Sequence, residues 1–336
     1  MLSDVTAVQP IKPRIYFLDV LKVLGTFLVV FAHLYSKDST VRLYIYAFHM
    51  PLFYIISGLF HKGNGKINLK KQFQKLFIPA IFFCFLFLLL TFCVNCIQLN
   101  SITNAASSFL VGCKLTFWGF FRGKGMPNTV CWFLFSLFWC KLFADIYTSF
   151  SKKYKISFLI IVICLACTPF VPRYLYIKTS LMCFPFYILG YEFKDKIKAL
   201  SFKWYMIPIA FICAYLCYLL TRLNGRVSIM GIYYGSLPTG INRICFYLNA
   251  LIGSTSLLMI SLFPFPQTKI VSRCSAALLT TVGIQKFFNS LFIQHFGINQ
   301  SLLITTIATI IIMTLCFLVH VLLEKYIPFA VGAKRN

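Results

Sequence analysis

Ile15-Tyr-Phe-Leu-Asp-Val-Leu-Lys-Val-Leu-Gly-Thr-Phe-Leu-Val-Val-Phe-Ala-His-Leu34 is the stretch that decides the fold. As a helix it is long enough to cross a bilayer, yet it carries Asp19, Lys22 and His33. A charge inside a hydrocarbon span costs a few kcal/mol on insertion scales, so such residues are functional suspects by default. At about 100° per residue, Lys22 and His33 fall within roughly 20° of one helix face, and at about 1.5 Å per residue they lie roughly 16 Å apart along the axis. The next apolar stretch, Ala47-Phe-His-Met-Pro-Leu-Phe-Tyr-Ile-Ile-Ser-Gly-Leu-Phe60, brings His49 near its start. A polar stripe on one membrane helix, with histidines near one end of two adjacent spans, is the outline of a site.

Composition sets the class around that stripe. The 336 residues are 60% hydrophobic and only 12% charged, against about a quarter charged in soluble chains. No polar stretch is long enough to build a soluble core. The expectation is an all-α, polytopic membrane protein, with residues 1–336 as a single integral-membrane domain. Apolar runs predict about ten transmembrane helices, at roughly 15–34, 44–60, 77–97, 130–149, 156–172, 179–193, 204–221, 241–263, 275–295 and 301–323. The first span keeps its charges and is followed by no small-residue cleavage site, so it reads as an anchor and not a signal peptide. With the N-terminus inside, nineteen Lys and Arg residues fall in inner segments and ten in outer ones. The positive-inside rule therefore selects N-in, C-in, and the expected location is the inner (plasma) membrane. His33 and His49 then face outward and Lys22 inward.

The net charge of +25 would point to nucleic acid in a soluble protein. Here the bases sit mainly between spans, where lipid head groups and topology account for them, and no nucleic-acid module is present. Most of the fourteen cysteines lie in apolar runs and act as small hydrophobes. Cys93-x-x-Cys96 and Cys164-x-x-Cys167 lack histidine or acidic company, so no metal is expected. Cys113 and Cys131 flank one segment and are candidates for a disulfide. No Walker loop, dinucleotide fingerprint, Gly-x-Ser-x-Gly elbow or His-Glu-x-x-His occurs.

Three connecting segments carry possible roles. Residues 61–77 hold five lysines, including Lys71 and Lys75, and suit either lipid contact or the phosphates of a cytoplasmic cofactor. Residues 98–129, with Trp118, Arg122 and Lys124, are too polar to span and either cover a substrate groove or simply connect. Residues 222–240, rich in glycine and tyrosine, read as interfacial belt or as a stacking surface for sugar rings.

The motif Leu18-Asp-Val-Leu-Lys-Val-Leu-Gly-Thr-Phe-Leu-Val-Val-Phe-Ala-His33 resembles the opening motif of the integral-membrane acyltransferase family 3. Ala47-Phe-His-Met-Pro-Leu-Phe-Tyr-Ile-Ile-Ser-Gly58 resembles its second motif, and Lys70-Lys-Gln-Phe-Gln-Lys-Leu-Phe-Ile-Pro79 its basic segment before the third span. Cys131-Trp-Phe-Leu134 and Phe186-Tyr-Ile-Leu-Gly190 resemble later landmarks, so the specific part is residues 14–79. Lys22 stands where many members carry arginine, as in branches resembling fucose 4-O-acetylases. The resemblance implies transfer of an acyl group, usually acetyl from acetyl-CoA as co-substrate, to a hydroxyl of a surface polysaccharide or lipid-linked sugar.

Acyl transfer to an alcohol needs a base, an oxyanion donor and a hold on the anionic CoA. His33 is the candidate base, because imidazole titrates near neutrality; alone, it would read as an interfacial histidine bonded to loop backbone. Asp19, three residues before Lys22, is either a catalytic partner or half of a structural ion pair. Lys22, Arg14, Lys71 and Lys75 are the candidates for holding the cofactor. His49, Trp132 and Arg122 are the candidates for the acceptor substrate, although His49 also suits a cap on the second span. A polysaccharide transporter or flippase, or a membrane scaffold, would share the spans and the basic loops.

Overall fold

The computed structural model describes residues 14–36, 39–63, 65–98, 101–168, 171–227, 233–234, 238–297 and 301–332. Helices α1 (Tyr16–Leu34) and α2 (Thr40–Leu59) form an antiparallel pair, five residues apart in the chain. Asp19 sits in the first turn of α1 and His33 in its last, each charge type at the favourable end of the helix dipole. The Ser39 side chain accepts from the Val41 amide and caps α2. That cap lies upstream of the expected span, so His49 and Pro51 belong to the middle of α2. A capping role for His49 is thereby corrected: its Nδ1 meets the Ile45 carbonyl oxygen of the preceding turn at 2.8 Å.

The basic segment after α2 leads into α3 (Leu69–Gln72), a π-helical turn over Phe73–Phe77, and α4 (Ile78–Gln98), together one 30-residue helix. The π turn ends just before Pro79, whose ring nitrogen has no proton for an i−4 carbonyl. α5 (Ile102–Arg122) then folds back along α4. Residues 98–129 are thus mainly helix, where the sequence predicts a connecting segment. Small residues make this possible: a Cβ at Gly112 would stand 2.6 Å from the Leu88 side chain. The helix ends at Gly123, in the left-handed conformation at φ 65°.

α6 (Trp132–Ser149), α7 (Lys152–Cys167) and α8 (Ile177–Glu192) form a second group, closed by the short α9 (Lys194–Lys198). α8 packs against α2 through glycines. A Cβ on Gly58 would lie 2.0 Å from the Tyr187 carbonyl oxygen, and one on Gly190 would lie 2.0 Å from that of Ile55. α10 (Met206–Asn224) and α11 (Thr239–Ser261) form a further antiparallel pair, and α11 also contacts α1 and α2. Arg226–Val227 and Tyr233–Tyr234 pair as a two-residue ribbon between them. Residues 228–232 and 235–237 of the tyrosine-rich 222–240 segment lie outside the described residues. α12 (Lys269–Ala276) bends by 71° into α13 (Leu278–Phe296), and α14 (Leu302–Tyr326) ends the bundle.

A helix stands at each of the ten expected spans. Among the described residues, six of these helices are long and apolar enough to cross a membrane by themselves, or seven with the bent α12–α13 pair. α7 and α8 have 16 residues each, roughly 24 Å of helix against a hydrocarbon core of about 30 Å. The protein is a multi-pass, helical membrane protein. α1 lies at its centre, in contact with α2, α11, α12, α13 and α14. Cys113 and Cys131 are free thiols, so the disulfide considered for them does not form: Cys131 is buried and Cys113 only partly so.

Candidate active site

The polar residues of α1 form two separate clusters. At its last turn, His33 Nδ1 lies 3.1 Å from Tyr46 Oη on α2. Arg42, one helical turn earlier on α2, donates to the same oxygen at 3.1 Å and to the Tyr35 carbonyl at 3.2 Å. Its guanidinium also stacks over the Tyr46 ring, 5.0 Å from the centroid. His49 joins the cluster edge-on to Tyr46, with ring centroids 4.9 Å apart. Lys286 of α13 acts on His33 electrostatically, and its neighbour Gln285 is buried with a side-chain oxygen that meets no donor. Two histidines, a phenol and cations from α2 and α13 thus surround the end of α1.

The second cluster surrounds the start of α1. Asp19, 3% exposed, accepts from the Arg14 guanidinium and from Ser275 Oγ at 2.6 Å and Ser272 Oγ at 3.3 Å. Lys22 Nζ stands 3.9 Å from its carboxylate and 4.7 Å over the Phe60 ring. Arg14 also donates to the Ser272 carbonyl at 2.6 Å, so one carboxylate and one guanidinium fasten α12 to α1. The fourteen residues from Asp19 to His33 amount to about 21 Å of helix. Asp19 is therefore out of reach of His33, and its carboxylate is occupied by helix-joining donors.

The other candidates are scattered. Lys71 and Lys75 are exposed, on the two turns before α4, and cluster electrostatically with Lys141 of α6. Arg122 is exposed at the end of α5, over the Trp118 ring. Trp132 begins α6, with its ring edge-on to Phe133. Among the described residues, no hydrogen bond, ion pair or ring contact joins either to the His33 cluster. A third buried cluster escaped the sequence reading. His61 Nδ1 meets Tyr187 Oη at 3.0 Å, while its Nε2 lies 3.4 Å from Asp145. Burial, with Lys141 and Lys194 nearby, pushes the His61 imidazole down to about 4.

A family model for an acyltransferase domain matches residues 15–321, from the threshold of α1 into α14. The chain belongs to acyltransferase family 3. No curated protein and no solved structure matches it. In this family 3 acyltransferase the matched region holds both clusters of α1 except Arg14. Tyr46 and Arg42 are the site residues that sequence reasoning missed. Their signal was present: on one helix they are four residues apart, and Tyr46 is one turn before His49.

Proposed function

We propose that this membrane acyltransferase moves acetyl from acetyl-CoA to a hydroxyl of a cell-surface polysaccharide or lipid-linked sugar, with His33 as general base. The observation that carries the reading is the His33–Tyr46–Arg42 relay. Arg42 can only donate, so the Tyr46 oxygen accepts from it. When His33 Nδ1–H donates to that same oxygen, the Nε2 lone pair is left for the acceptor hydroxyl. Nε2 takes the hydroxyl proton as the oxygen attacks the thioester carbon. The tetrahedral oxyanion collapses, the C–S bond breaks, and the imidazolium returns the proton to the leaving thiolate. Lys286 supplies positive charge near the developing oxyanion. Lys22, on the same face as His33 but roughly 16 Å from it along α1, holds the donor's anionic part, with Lys71 and Lys75 as further phosphate partners.

The basic loops support ten spans in an N-in, C-in plasma-membrane topology. The donor then enters from the inner face and the acceptor meets His33 towards the outer one. A lysine at position 22 favours the fucose 4-O-acetylase-like branch. The test is mass spectrometry of surface glycans and lipid-linked sugars, after labelled acetyl-CoA is given to membranes bearing the wild type or His33→Ala. Label should enter a glycan only with the wild type. Undiminished label in His33→Ala would remove the base, and glycan movement without label would make the protein a transporter.

A further inference from the structure

The inner end of the bundle contains a cavity that the acyl-transfer scheme leaves unused. Its volume is about 670 Å³, and it lies between the start of α1, α12 and α14. That falls within the range of about 300–1,000 Å³ common for small-molecule sites. Arg14, Lys269 and Arg273 line it, with Glu324 as the one acid in the wall. Arg14 is partly neutralised by Asp19. Lys269 and Arg273 are exposed and form no ion pair among the described residues.

The cavity is also built, not merely left between helices. Tyr16 Oη donates to the Pro266 carbonyl at 2.7 Å and accepts from the Thr268 amide at 3.2 Å, which fixes the approach to α12 against α1. Thr268 Oγ1 caps α12 by accepting from the Val271 amide. The positive N-terminal end of α12, from Thr268 to Lys269, therefore opens into the same space as the Arg273 guanidinium. Lys269 and Arg273 are four residues apart and share one face of α12. Two free cations and a helix start converge on a space large enough for a nucleotide.

We propose that this cavity binds the phosphorylated nucleotide end of the acyl donor, with Lys269 and Arg273 as its phosphate ligands. The proposal rests on the acyl-CoA reading above and moves the main phosphate site from the loop lysines to α12. Arg14 serves as a positioning residue, since it ties α12 to Asp19. Glu324 suits a ribose hydroxyl or an adenine amino group, which are donors. A phosphate-bearing lipid head group offers the same anion chemistry, so the test separates the two sources.

The measurement is calorimetric binding of adenosine 3′,5′-bisphosphate to the purified full-length protein in phosphatidylcholine nanodiscs. The wild type is expected to bind, and Lys269→Glu/Arg273→Glu to bind at least tenfold more weakly. Lys269→Gln/Arg273→Gln, at an unchanged melting temperature, should show the same direction and excludes a folding defect. Equal affinity in wild type and both α12 variants, or no binding to the wild type, overturns the site. So does loss of anionic-lipid enrichment in the α12 variants with nucleotide affinity intact. His33→Ala should keep full nucleotide affinity. Nucleotide binding without any acetyl transfer by the wild type would sink the reaction and leave the site standing.

Discussion

Tyr46 Oη lies 3.1 Å from His33 Nδ1 and so joins the last turn of α1 to the second turn of α2. The contact holds one ring nitrogen of His33 against α2. Removing the phenol by Tyr46→Phe deletes the partner of both His33 and Arg42 while keeping the ring. A hydrogen bond involving a charged group is worth about 1.5–3 kcal/mol, so acetyl transfer should fall by about ten- to a hundredfold at equal protein level. Initial rates with labelled acetyl-CoA measure this, and wild-type rates in Tyr46→Phe would show that the base needs no orienting partner.

Asp19 is expected to matter for stability. It is buried against two serines of α12 and two cations, and removing one side of such a pair costs about 3–5 kcal/mol. Asp19→Asn should lower the thermal midpoint of the purified protein by several degrees and reduce its amount in membranes. Activity per folded molecule should remain within a few-fold of wild type. Normal stability with abolished transfer would return Asp19 to the chemistry.

Lys22 differs from Asp19: among the described residues its ammonium meets only that carboxylate and the Phe60 ring. Lys22→Ala should weaken acetyl-CoA binding, and Lys22→Arg, which keeps the positive charge, should recover part of it. Equilibrium binding of acetyl-CoA decides this, and unchanged affinity in Lys22→Ala would end the role proposed for it.

His61 gives a pH dependence with a definite sign. Its imidazole titrates near 4 in the folded protein, below the ordinary value of 6.5, because burial disfavours the cation. The unfolded chain therefore binds the proton first as pH falls. This stabilising contribution is complete above about pH 6.5 and is lost progressively towards pH 4. Thermal midpoints across that window should fall less steeply in His61→Gln. Parallel curves for the two proteins would assign the acid sensitivity to other groups.

Much of this molecule was legible because a bilayer demands long apolar runs, and ten such runs coincide with ten helices. The stripe Asp19–Lys22–His33 was legible from helix periodicity alone. Its division into two sites was not, because periodicity gives angle but no partner: Ser272 and Ser275, which occupy Asp19, arrive from more than 250 residues away. α5 escaped for a different reason. Its serines, threonines and asparagine lower its hydropathy below that of a span, while Gly112 and Gly119 provide close packing that composition does not register. α2 begins four residues before its apolar run, because apolarity does not register Arg42, whose guanidinium is taken up by the Tyr35 carbonyl and Tyr46.

The contact between α2 and α8 gives the last prediction. Gly58 and Gly190 face each other's helices reciprocally, each with a backbone carbonyl where a Cβ would have to stand. The gap of 2.0 Å at both points is far below any permitted contact, and the obstacle is backbone, which no rotamer change can move aside. Gly58→Ala or Gly190→Ala must therefore push the helices apart, and membrane helices depend on such close approach because lipid offers no hydrophobic force to hold them. The displacement would also move His61, two residues beyond the end of α2, from Tyr187 of α8. Each variant should lose thermal stability, and the double variant should lose less than the sum, since one separation relieves both clashes. The check is a double-mutant cycle on melting temperature in detergent, where strict additivity would show that the two glycines do not share one interface.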